Sequence, residues 1–330
     1  MMVRRVLVTG SNGFVGVGLC KALVKLGCDP VCAVRKASGG NGAEFVIGPV
    51  SGHTNWSKAL ADCKTIVHLA ARVHVKRDME IFPLAAFRHV NVEGTLNLAR
   101  QAAASGVRRF VFLSSIKAIG EEAVFFQSKY LASGKMKCFR EDDDPAPQDA
   151  YAISKWEAEQ GLLEIAQQSQ MEVVIIRPPL VYGPGVKANF LTMMRWLNKG
   201  VPLPLGAIHN QRSLVALDNL VDLIITCLDH PAAANQVFLA GDGEDLSTTE
   251  LLRRLGLAMG KPARLLPVPV ALLKAGALLL GRRDMAQRLC ESLQVDISKA
   301  RTLLGWKPPI SVDEGLRKTA QYFLAAATKK

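Results

Sequence analysis

Tyr151 and Lys155 are the pair of residues best suited to proton transfer at an alcohol. They lie four positions apart in a stretch with helical periodicity, so both side chains leave the same face of a helix. A tyrosine with a pKa near ~10 is a poor acid or base at neutral pH, but a nearby ammonium stabilises the phenolate and lowers that pKa. The pair therefore indicates a tyrosine that exchanges a proton with a substrate hydroxyl. The alternative is a solvated lysine on an ordinary helix.

Two serines make this interpretation more specific. Ser114 and Ser115 come at the end of the apolar run Arg109–Ser114, which predicts a strand in the middle of a parallel sheet. Ligands of such sheets bind at the carboxyl ends of the strands, so a serine hydroxyl there can hold the reacting oxygen against the tyrosine. We therefore predict Ser115, Tyr151 and Lys155 as the catalytic residues.

A glycine-rich stretch near the N-terminus predicts a dinucleotide-binding loop. Gly10, Gly13 and Gly16 follow the apolar run Val3–Thr9 and open the helical pattern Phe14–Leu26. In such loops the first glycine allows a tight turn, the second lets N–H groups approach a pyrophosphate, and the third permits close packing. A purely structural turn is the alternative. The cofactor-binding residues expected here are Gly10, Asn12, Gly13, Phe14, Val15 and Gly16.

The residues after the second apolar run bear on the choice of cofactor. An acidic residue there would bind the ribose hydroxyls of NAD, and a basic one would accept the 2′-phosphate of NADP. The sequence has Arg35 and Lys36, with no carboxylate until Glu44. We therefore expect NAD or NADP, with NADP favoured. The alternative is that Arg35 stacks on the adenine and Lys36 is solvated.

The elements that must position these residues alternate along the first half of the chain. Strands that alternate with helices imply right-handed crossovers and a Rossmann-type doubly wound parallel sheet, an α/β fold. The predicted strands are Val3–Thr9, Val31–Arg35, Phe45–Ile47, Thr65–Leu69, Arg109–Ser114 and Val173–Arg177. The predicted helices are Phe14–Leu26, Leu84–Ala104 and Ala150–Gln168.

The pattern changes after Arg177, where prolines and glycines interrupt the alternation. We expect an NAD(P)-binding Rossmann domain over 1–177, to which 211–232 returns. The remainder of 178–330 is expected to form most of a smaller C-terminal α/β lobe that binds the substrate.

The stretch Val268–Leu280 is the most apolar part of the sequence. Pro269 and Lys274 interrupt it, Arg282 and Arg283 follow it, and it is shorter than the ~18 apolar residues of a membrane span. We expect a packed amphipathic helix here rather than one at a membrane interface, and no membrane partner.

The bulk composition excludes several other classes of protein. Of 330 residues 49% are hydrophobic and 21% charged, which is ordinary globular usage. The net charge is +12, but the basic residues are scattered and lack interleaved aromatics, so we expect an anionic substrate or cofactor rather than nucleic acid. Seven cysteines without a CxxC pair favour free thiols in the cytoplasm and no metal site. The N-terminus has no signal-peptide pattern.

The order of the motifs is that of a known family. The chain resembles the extended short-chain dehydrogenase/reductases of the nucleotide-sugar epimerase/dehydratase family and is similar to the UDP-glucose (UDP-galactose) 4-epimerases. Besides the glycine loop and the tyrosine–lysine pair, the matching motifs are His68–Ala71, Asn91–Thr95, Arg177–Gly185 and Leu304–Pro308.

The resemblance implies further site residues. Asn189 and Arg212 would contact the substrate diphosphate, for which a guanidinium fork is well suited. An isolated surface arginine is the alternative for Arg212. The resemblance, taken with the patterns above, gives a wider set of cofactor-lining residues: Leu69, Ala70, Ala71, Asn91, Ser114, Tyr151, Lys155 and Pro178.

The sequence departs from the family pattern in three places. Ile116 and Lys117 stand where 4,6-dehydratases have an Asp-Glu pair, which argues against dehydration. Arg35 lies where many UDP-galactose 4-epimerases end the second strand with an aspartate, which argues against permanently held NAD. The spacing between Ser115 and Tyr151 is longer than is usual in the family, which implies an extra loop around Glu121–Lys137.

These features leave several functions open. The leading one is an NAD(P)-dependent nucleotide-sugar 4-epimerase, with UDP-hexoses as substrates and reversible hydride transfer at C4. The alternatives are an NADPH-dependent 4-keto-6-deoxy nucleotide-sugar 4-reductase, a reductase of steroid- or flavonoid-like ketones, and a non-catalytic NAD(P)-binding sensor. The resemblance also implies a homodimer formed through a four-helix bundle and a role in polysaccharide biosynthesis.

Overall fold

In the computed structural model, residues 4–37, 43–73, 83–120, 138–281 and 283–328 are described. The strands form where Val, Ile and Phe cluster, since these residues fit a pleated surface. They are β1 (Arg5–Thr9), β2 (Asp29–Val34), β3 (Ala43–Val46), β4 (Thr65–His68), β5 (Arg109–Leu113), β6 (Glu172–Arg177), β7 (Leu180–Tyr182), β8 (Arg212–Ala216), β9 (Val237–Leu239) and β10 (Asp245–Leu246).

Helices connect these strands and form the outer layers. They are α1 (Phe14–Lys25), α2 (Ser57–Leu60), α3 (Pro83–Arg88), α4 (Gly94–Ala104), α5 (Ala150–Gln167), α6 (Ala188–Asn198), α7 (Leu217–Asp229), α8 (Thr248–Ala258), α9 (Val270–Leu279), α10 (Arg283–Cys290), α11 (Ser298–Leu304) and α12 (Val312–Thr328). A π-helical turn spans His89–Glu93, and 3₁₀ turns span Ile116–Ala118 and Pro231–Ala233.

Seven strands form one parallel sheet in the order β3-β2-β1-β4-β5-β6-β9. The chain first moves outward from β1 to β3 and then returns to β4 on the other side of β1. This reversal brings the carboxyl ends of β1 and β4 to the crevice where ligands of such sheets bind. The expected Rossmann-type α/β fold is confirmed.

Strand β1 shows why this sheet is covered on both faces. Val6, Leu7 and Val8 are completely buried. Val6 and Val8 belong to one hydrophobic cluster and Leu7 to a second, because successive side chains point to opposite faces. The first cluster packs under α1 and α7, and the second under α4 and α5. Neither face is therefore left to solvent.

The second half of the chain builds a smaller lobe and also returns to the large sheet. Strand β8 pairs with β7 in parallel and with β10 antiparallel, and a third cluster packs this sheet against α6, α8 and α12. Helix α7 packs against α1, and β9 pairs with β6 in the large sheet. The boundaries 1–177, 178–330 and 211–232 stay a prediction.

The predicted helix Leu84–Ala104 is continuous but not uniform. It consists of α3, the π-helical turn and α4. At Gly94 a Cβ atom would lie 2.6 Å from a Val50 methyl carbon, so the helix passes too close to the neighbouring chain for a side chain. The wider turn just before it carries the buried Asn91.

The expectation for Val268–Leu280 is correct for the helix and for its packed side but wrong for a polar outer face. Helix α9 has no buried residue. Val270 and Leu273 are partly buried against the third cluster, but the opposite face is apolar where an amphipathic helix would be polar. The stretch is more exposed than its hydropathy suggests.

The structure also bears on the expectations about membrane spans, cysteines and metal sites. No helix within them combines the length and hydropathy required to cross a bilayer. All seven cysteines are free thiols. No group of three or more His, Cys, Asp and Glu side chains in the described part of the chain could hold a metal ion. The extra loop around 121–137 lies outside the described residues.

Candidate active site

The glycine loop is packed so tightly that only glycine fits at two of its positions. Gly10 has a φ of +66°, and a Cβ there would lie 2.9 Å from the backbone nitrogen of Ala70. A Cβ on Gly16 would overlap the carbonyl oxygen of Gly10. The amide of Gly13 donates to that same carbonyl at 2.9 Å, which closes the turn. The loop thus joins β1, α1 and the segment after β4 at one point.

The N-terminus of α1 fits a bound dinucleotide. Gly13 is its N-cap, no side chain of the described residues caps it, and its first turn contains no acidic residue. Its N–H groups and helix dipole therefore suit a pyrophosphate. Asn12 and Gly13 are exposed, and Phe14 and Val15 are half-buried at the start of the helix. The residues present fit NAD or NADP.

His68 holds the segment behind this loop, a role that the sequence did not suggest. The Thr9 hydroxyl accepts from the amides of Leu69 and Ala70 at 3.1 Å each and lies 2.7 Å from His68 Nδ1. His68 Nε2 lies 2.9 Å from the Thr95 hydroxyl. Burial, and then the charge of Lys155, lower the pKa of His68 to about 3, so the ring is neutral.

Neutral His68 accounts for the geometry of this chain of hydrogen bonds. Since the Thr9 oxygen already accepts two N–H groups, its own proton is available to Nδ1, which leaves the ring proton on Nε2 to reach Thr95. The His-Leu-Ala-Ala motif is thereby tied to β1 and α4. Ala70 and Ala71, both half-buried, follow directly at the cofactor crevice.

Tyr151 and Lys155 lie one turn apart at the start of α5. Asp149 caps this helix by accepting from the Ala152 amide at 2.7 Å. The Tyr151 ring packs edge-on against Phe87 of α3, with 6.2 Å between ring centroids. These contacts fix the phenol at the carboxyl edge of the sheet.

Lys155 is held against the end of β5. Its ammonium donates to the carbonyl oxygen of Leu113 at 2.7 Å and lies 4.1 Å from the ring centroid of Phe112. Burial lowers the pKa of Lys155 to about 7, and the charge of Glu159 opposes this shift. The side chain is thus a buried amine whose positive charge depends on its few polar contacts.

The electrostatics of Tyr151 differ from the sequence-based expectation. Burial, and then the charge of Asp149, raise the pKa of Tyr151 to about 12, whereas its hydrogen bond with Ser115 acts in the opposite direction. The expectation that Lys155 lowers the pKa of Tyr151 is therefore wrong for the protein chain alone. A buried phenolate loses its hydration, and Asp149 adds a like charge nearby.

Ser115 and Pro178 lie together at the end of the central strands. Ser115 is extended, with φ −156° and ψ 150°, and its hydroxyl accepts weakly from the Lys117 amide at 3.3 Å. The Ile116 amide donates to the carbonyl oxygen of Pro178 at 3.0 Å. The structure therefore brings Ser115, Tyr151 and Lys155 together.

Ser114 points to a different partner. Its hydroxyl donates to the carboxylate of Glu159, a completely buried residue one turn beyond Lys155. Arg177 holds the same carboxylate, with Nη2 at 2.6 Å from one oxygen and Nε at 3.1 Å from both. Sequence reasoning missed Glu159, although an acidic residue four positions after Lys155 was a usable signal.

Asn91 is likewise engaged within the protein. Its carbonyl oxygen accepts from the Arg72 amide at 2.7 Å, and its NH₂ group donates to the Arg72 carbonyl at 3.0 Å and the Ser154 hydroxyl at 2.9 Å. It shapes the segment after β4. Direct contacts of Asn91 and Ser114 with the cofactor stay predictions.

The remaining predicted residues lie at the edges of the crevice or in the smaller lobe. Arg35 and Lys36 are exposed just beyond β2, whose register with β1 pairs Ala33 with Thr9. Arg212 begins β8 and donates from Nη1 to the carbonyl oxygens of Arg288 and Glu291, both at 3.0 Å. Asn189 is exposed in the first turn of α6. Their ligand contacts stay predictions.

Comparisons with known proteins agree with this geometry. The sequence profile of the NAD dependent epimerase/dehydratase family matches residues 6–241. A UDP-glucose 4-epimerase of Vibrio cholerae is 49% identical, and the match covers 98% of this chain and 97% of that protein. An N-acetyl-alpha-D-glucosaminyl-diphospho-ditrans,octacis-undecaprenol 4-epimerase of Escherichia coli O157:H7 is 27% identical, covering 98% and 96%.

Solved structures give the same fold. The UDP-glucuronic acid 4-epimerase from Bacillus cereus in complex with NAD superimposes with a TM-score of 0.77 at 21% identity, covering 99% of this chain and 98% of that one. The expectation that the protein is an enzyme is confirmed, which argues against a non-catalytic sensor. The family profile spans most of the chain and the Vibrio relative nearly all of it, so the protein belongs to the NAD dependent epimerase/dehydratase family.

Proposed function

We propose that the protein is an NAD-dependent nucleotide-sugar 4-epimerase and that its substrates are UDP-hexoses. The observation that carries this proposal is the phenol of Tyr151, hydrogen-bonded to Ser115 and one helical turn from Lys155, at the sheet edge that also holds the glycine loop. The 49% identity with a UDP-glucose 4-epimerase supports the substrate class.

The residues of the chain divide the proton chemistry among them. Ser115 orients the C4 oxygen, and the Tyr151 oxygen takes the proton of the C4 hydroxyl and later returns it. NAD, held by the glycine loop at Gly10, Gly13 and Gly16, would supply the reversible hydride transfer at C4. Lys155, one helical turn further along α5, donates to the Leu113 carbonyl and holds this end of the helix against the end of β5.

Asp149 adds to the effect of burial on the pKa of Tyr151. Its negative charge raises the pKa of Tyr151, and asparagine caps a helix as well as aspartate does. We expect Asp149→Asn to lower that pKa and to move the limb of kcat/KM that rises with pH to lower pH. Below the limb, kcat/KM should rise by up to roughly tenfold, the equivalent of one pH unit. The measurement is kcat/KM from pH 5 to 9.

A substitution at Lys117 should shift the pKa of Tyr151 in the opposite direction. The Lys117 ammonium pairs with Asp149 at 2.8 Å, so Lys117→Met removes a positive charge from beside that carboxylate. The same limb should then move to higher pH. If the rising limb of kcat/KM stays at the same pH in both variants, the Asp149–Lys117 ion pair does not control the pKa of Tyr151.

The choice between NAD and NADP rests on Arg35 and Lys36. We propose that Arg35 extends binding to NADP, since it is exposed at the carboxyl end of β2 and no Asp or Glu follows it in the sequence until Glu44. Arg35→Ala should weaken NADP binding by roughly tenfold to a hundredfold, the usual value of a charged hydrogen bond. NAD binding should change little, and Arg253→Ala, an exposed arginine of α8, should affect neither cofactor. Equal losses for both cofactors would contradict this role.

The function itself is tested by turnover. The purified enzyme is incubated with UDP-glucose and UDP-galactose without external reductant, and the C4 epimer is quantified by chromatography. Net NADPH consumption on a 4-keto-6-deoxy UDP-sugar, with no epimer formed from UDP-hexoses, would instead make the protein a 4-reductase. Arg35 and Lys36 are the residues that favour this second candidate.

The assembly and cellular setting are part of the same proposal. Helices α4 and α5 pack side by side, and two such pairs would form the four-helix bundle of a homodimer. Sedimentation equilibrium tests this state. Seven free thiols support a reducing cytoplasm, and nucleotide-sugar chemistry supports a role in polysaccharide biosynthesis.

A further inference from the structure

Helix α9 exposes an apolar outer face, with Lys274 at its flank. Leu272 is 63% exposed, Leu278 64%, Leu279 87% and Leu280, which follows the helix, 77%. Ala271 and Ala275 complete the outer face. Isolated exposed leucines are common, but a contiguous apolar face usually marks an interaction site.

This exposure belongs to an anchored helix. Val270 and Leu273 pack against the core of the smaller lobe, and the Lys274 ammonium pairs with Glu291 at 2.6 Å. Pro269 caps the helix at its start, and Gly281, with a φ of +63°, follows its end. The leucines are therefore presented outward by a helix with fixed ends.

The charge around α9 selects the kind of partner. Over residues 251–283 the sequence contains no Asp or Glu. The basic residues closest to the helix in sequence are Lys261, Arg264, Lys274, Arg282 and Arg283. An apolar face on a stretch of chain whose charged residues are all basic fits the boundary between acyl chains and anionic headgroups. A second copy of the chain would bring the same cations together and would be repelled.

The position of α9 relates this surface to the candidate substrate site. Glu291 links the two, because its carboxylate binds Lys274 of α9 and its carbonyl oxygen accepts from Arg212. Arg212 is the residue predicted to hold the substrate diphosphate. A partner bound to the outer face of α9 would therefore lie beside the diphosphate end of the candidate substrate site.

We propose that α9 is an interfacial helix by which the enzyme docks on an anionic phospholipid bilayer. Leu272, Leu278, Leu279 and Leu280 enter the acyl boundary, and the exposed Lys261 and Arg264, which precede the helix, meet the headgroups. This revises the expectation of no membrane partner without requiring a membrane span. It goes beyond the proposed epimerase activity and does not depend on it.

Vesicle flotation tests the proposal directly. The full-length enzyme is mixed with vesicles of phosphatidylglycerol and phosphatidylethanolamine, or of phosphatidylcholine alone. We expect binding to the anionic vesicles, weakened by salt and by at least roughly tenfold on the neutral ones. In the variant Leu279→Gln with Leu280→Gln, binding should fall by roughly a hundredfold, about tenfold for each leucine withdrawn from the bilayer.

A matched control separates this face from general stickiness. Leu26, which is 60% exposed at the end of α1, becomes Leu26→Gln and should leave vesicle binding unchanged. Epimerisation of soluble UDP-hexoses and the melting temperature should be unchanged in both variants. Loss of epimerisation in the parent, with vesicle binding intact, would refute only the proposed function.

Three results would overturn the docking proposal. One is a parent enzyme that floats with neither kind of vesicle. Another is a double variant that binds as tightly as the parent. The third is a dimer, seen by sedimentation equilibrium without lipid, that the double variant dissociates, because the face would then belong to a second copy of the chain.

Discussion

The variant Tyr151→Phe should lose about three orders of magnitude in kcat for the interconversion of UDP-hexoses, within the range contributed by general acid–base catalysis. Phenylalanine keeps the ring against Phe87 and removes only the oxygen that exchanges the proton. The loop around Gly10 is unaffected, so we expect the dissociation constant of NAD to change by no more than about twofold, well below the free energy of one hydrogen bond. Initial rates and fluorescence titration measure the two effects.

Tyr322 supplies the control for this substitution. It is a 54% exposed tyrosine of α12, and Tyr322→Phe should leave both kcat and NAD affinity unchanged. If Tyr151→Phe kept kcat within tenfold of the parent, another group would have to move the proton. A variant that lost NAD binding together with activity would show that the phenol acts mainly in holding the cofactor.

The local part of this site was predictable because it depends on short-range spacing. Tyr151 and Lys155 share a helix face by helical geometry alone, and Ser115 follows a strand whose apolar pattern marks it as central. The reversal of strand order after β3 then requires the glycine loop and these residues to share one edge. The catalytic grouping therefore followed from short local patterns together with the strand order of the fold.

The supporting contacts were not predictable because they join positions that are far apart in the chain. His68 meets Thr9 and Thr95 only after β1, β4 and α4 have assembled. The pKa of Tyr151 depends on burial, which no spacing reveals, and this is why the expected direction was wrong. The exposure of α9 was also not predictable. Hydropathy shows that a helix is apolar, but it does not show which side of the helix packs against the protein.

Glu159 is the supporting residue with the largest expected effect. Its carboxylate is completely buried, receives the Ser114 hydroxyl, and is held by the nearly buried Arg177. In Glu159→Gln the guanidinium would remain buried without a counter-charge, which typically costs about 3–5 kcal/mol. Thermal or urea unfolding should show this loss in the free energy of unfolding.

The matched control lies half a turn away on the same helix. Glu157 also pairs with an arginine, Arg88, but both side chains are substantially exposed, at 30% and 47%. Surface pairs contribute about 0–1 kcal/mol, so Glu157→Gln should change the free energy of unfolding little. A loss of equal size in both variants would mean that burial does not set the strength of the Glu159 ion pair.

A catalytic readout separates positioning by Glu159 from simple stabilisation. The charge of Glu159 opposes the lowering of the Lys155 pKa, so Glu159→Gln should lower that pKa below about 7. Lys155 would then lose its proton at lower pH, and the limb of kcat that falls as pH rises should move toward acid. Glu157→Gln should leave the limb in place. If the Glu159→Gln enzyme is destabilised but keeps the pH dependence of the parent, Glu159 supports the fold and does not act through Lys155.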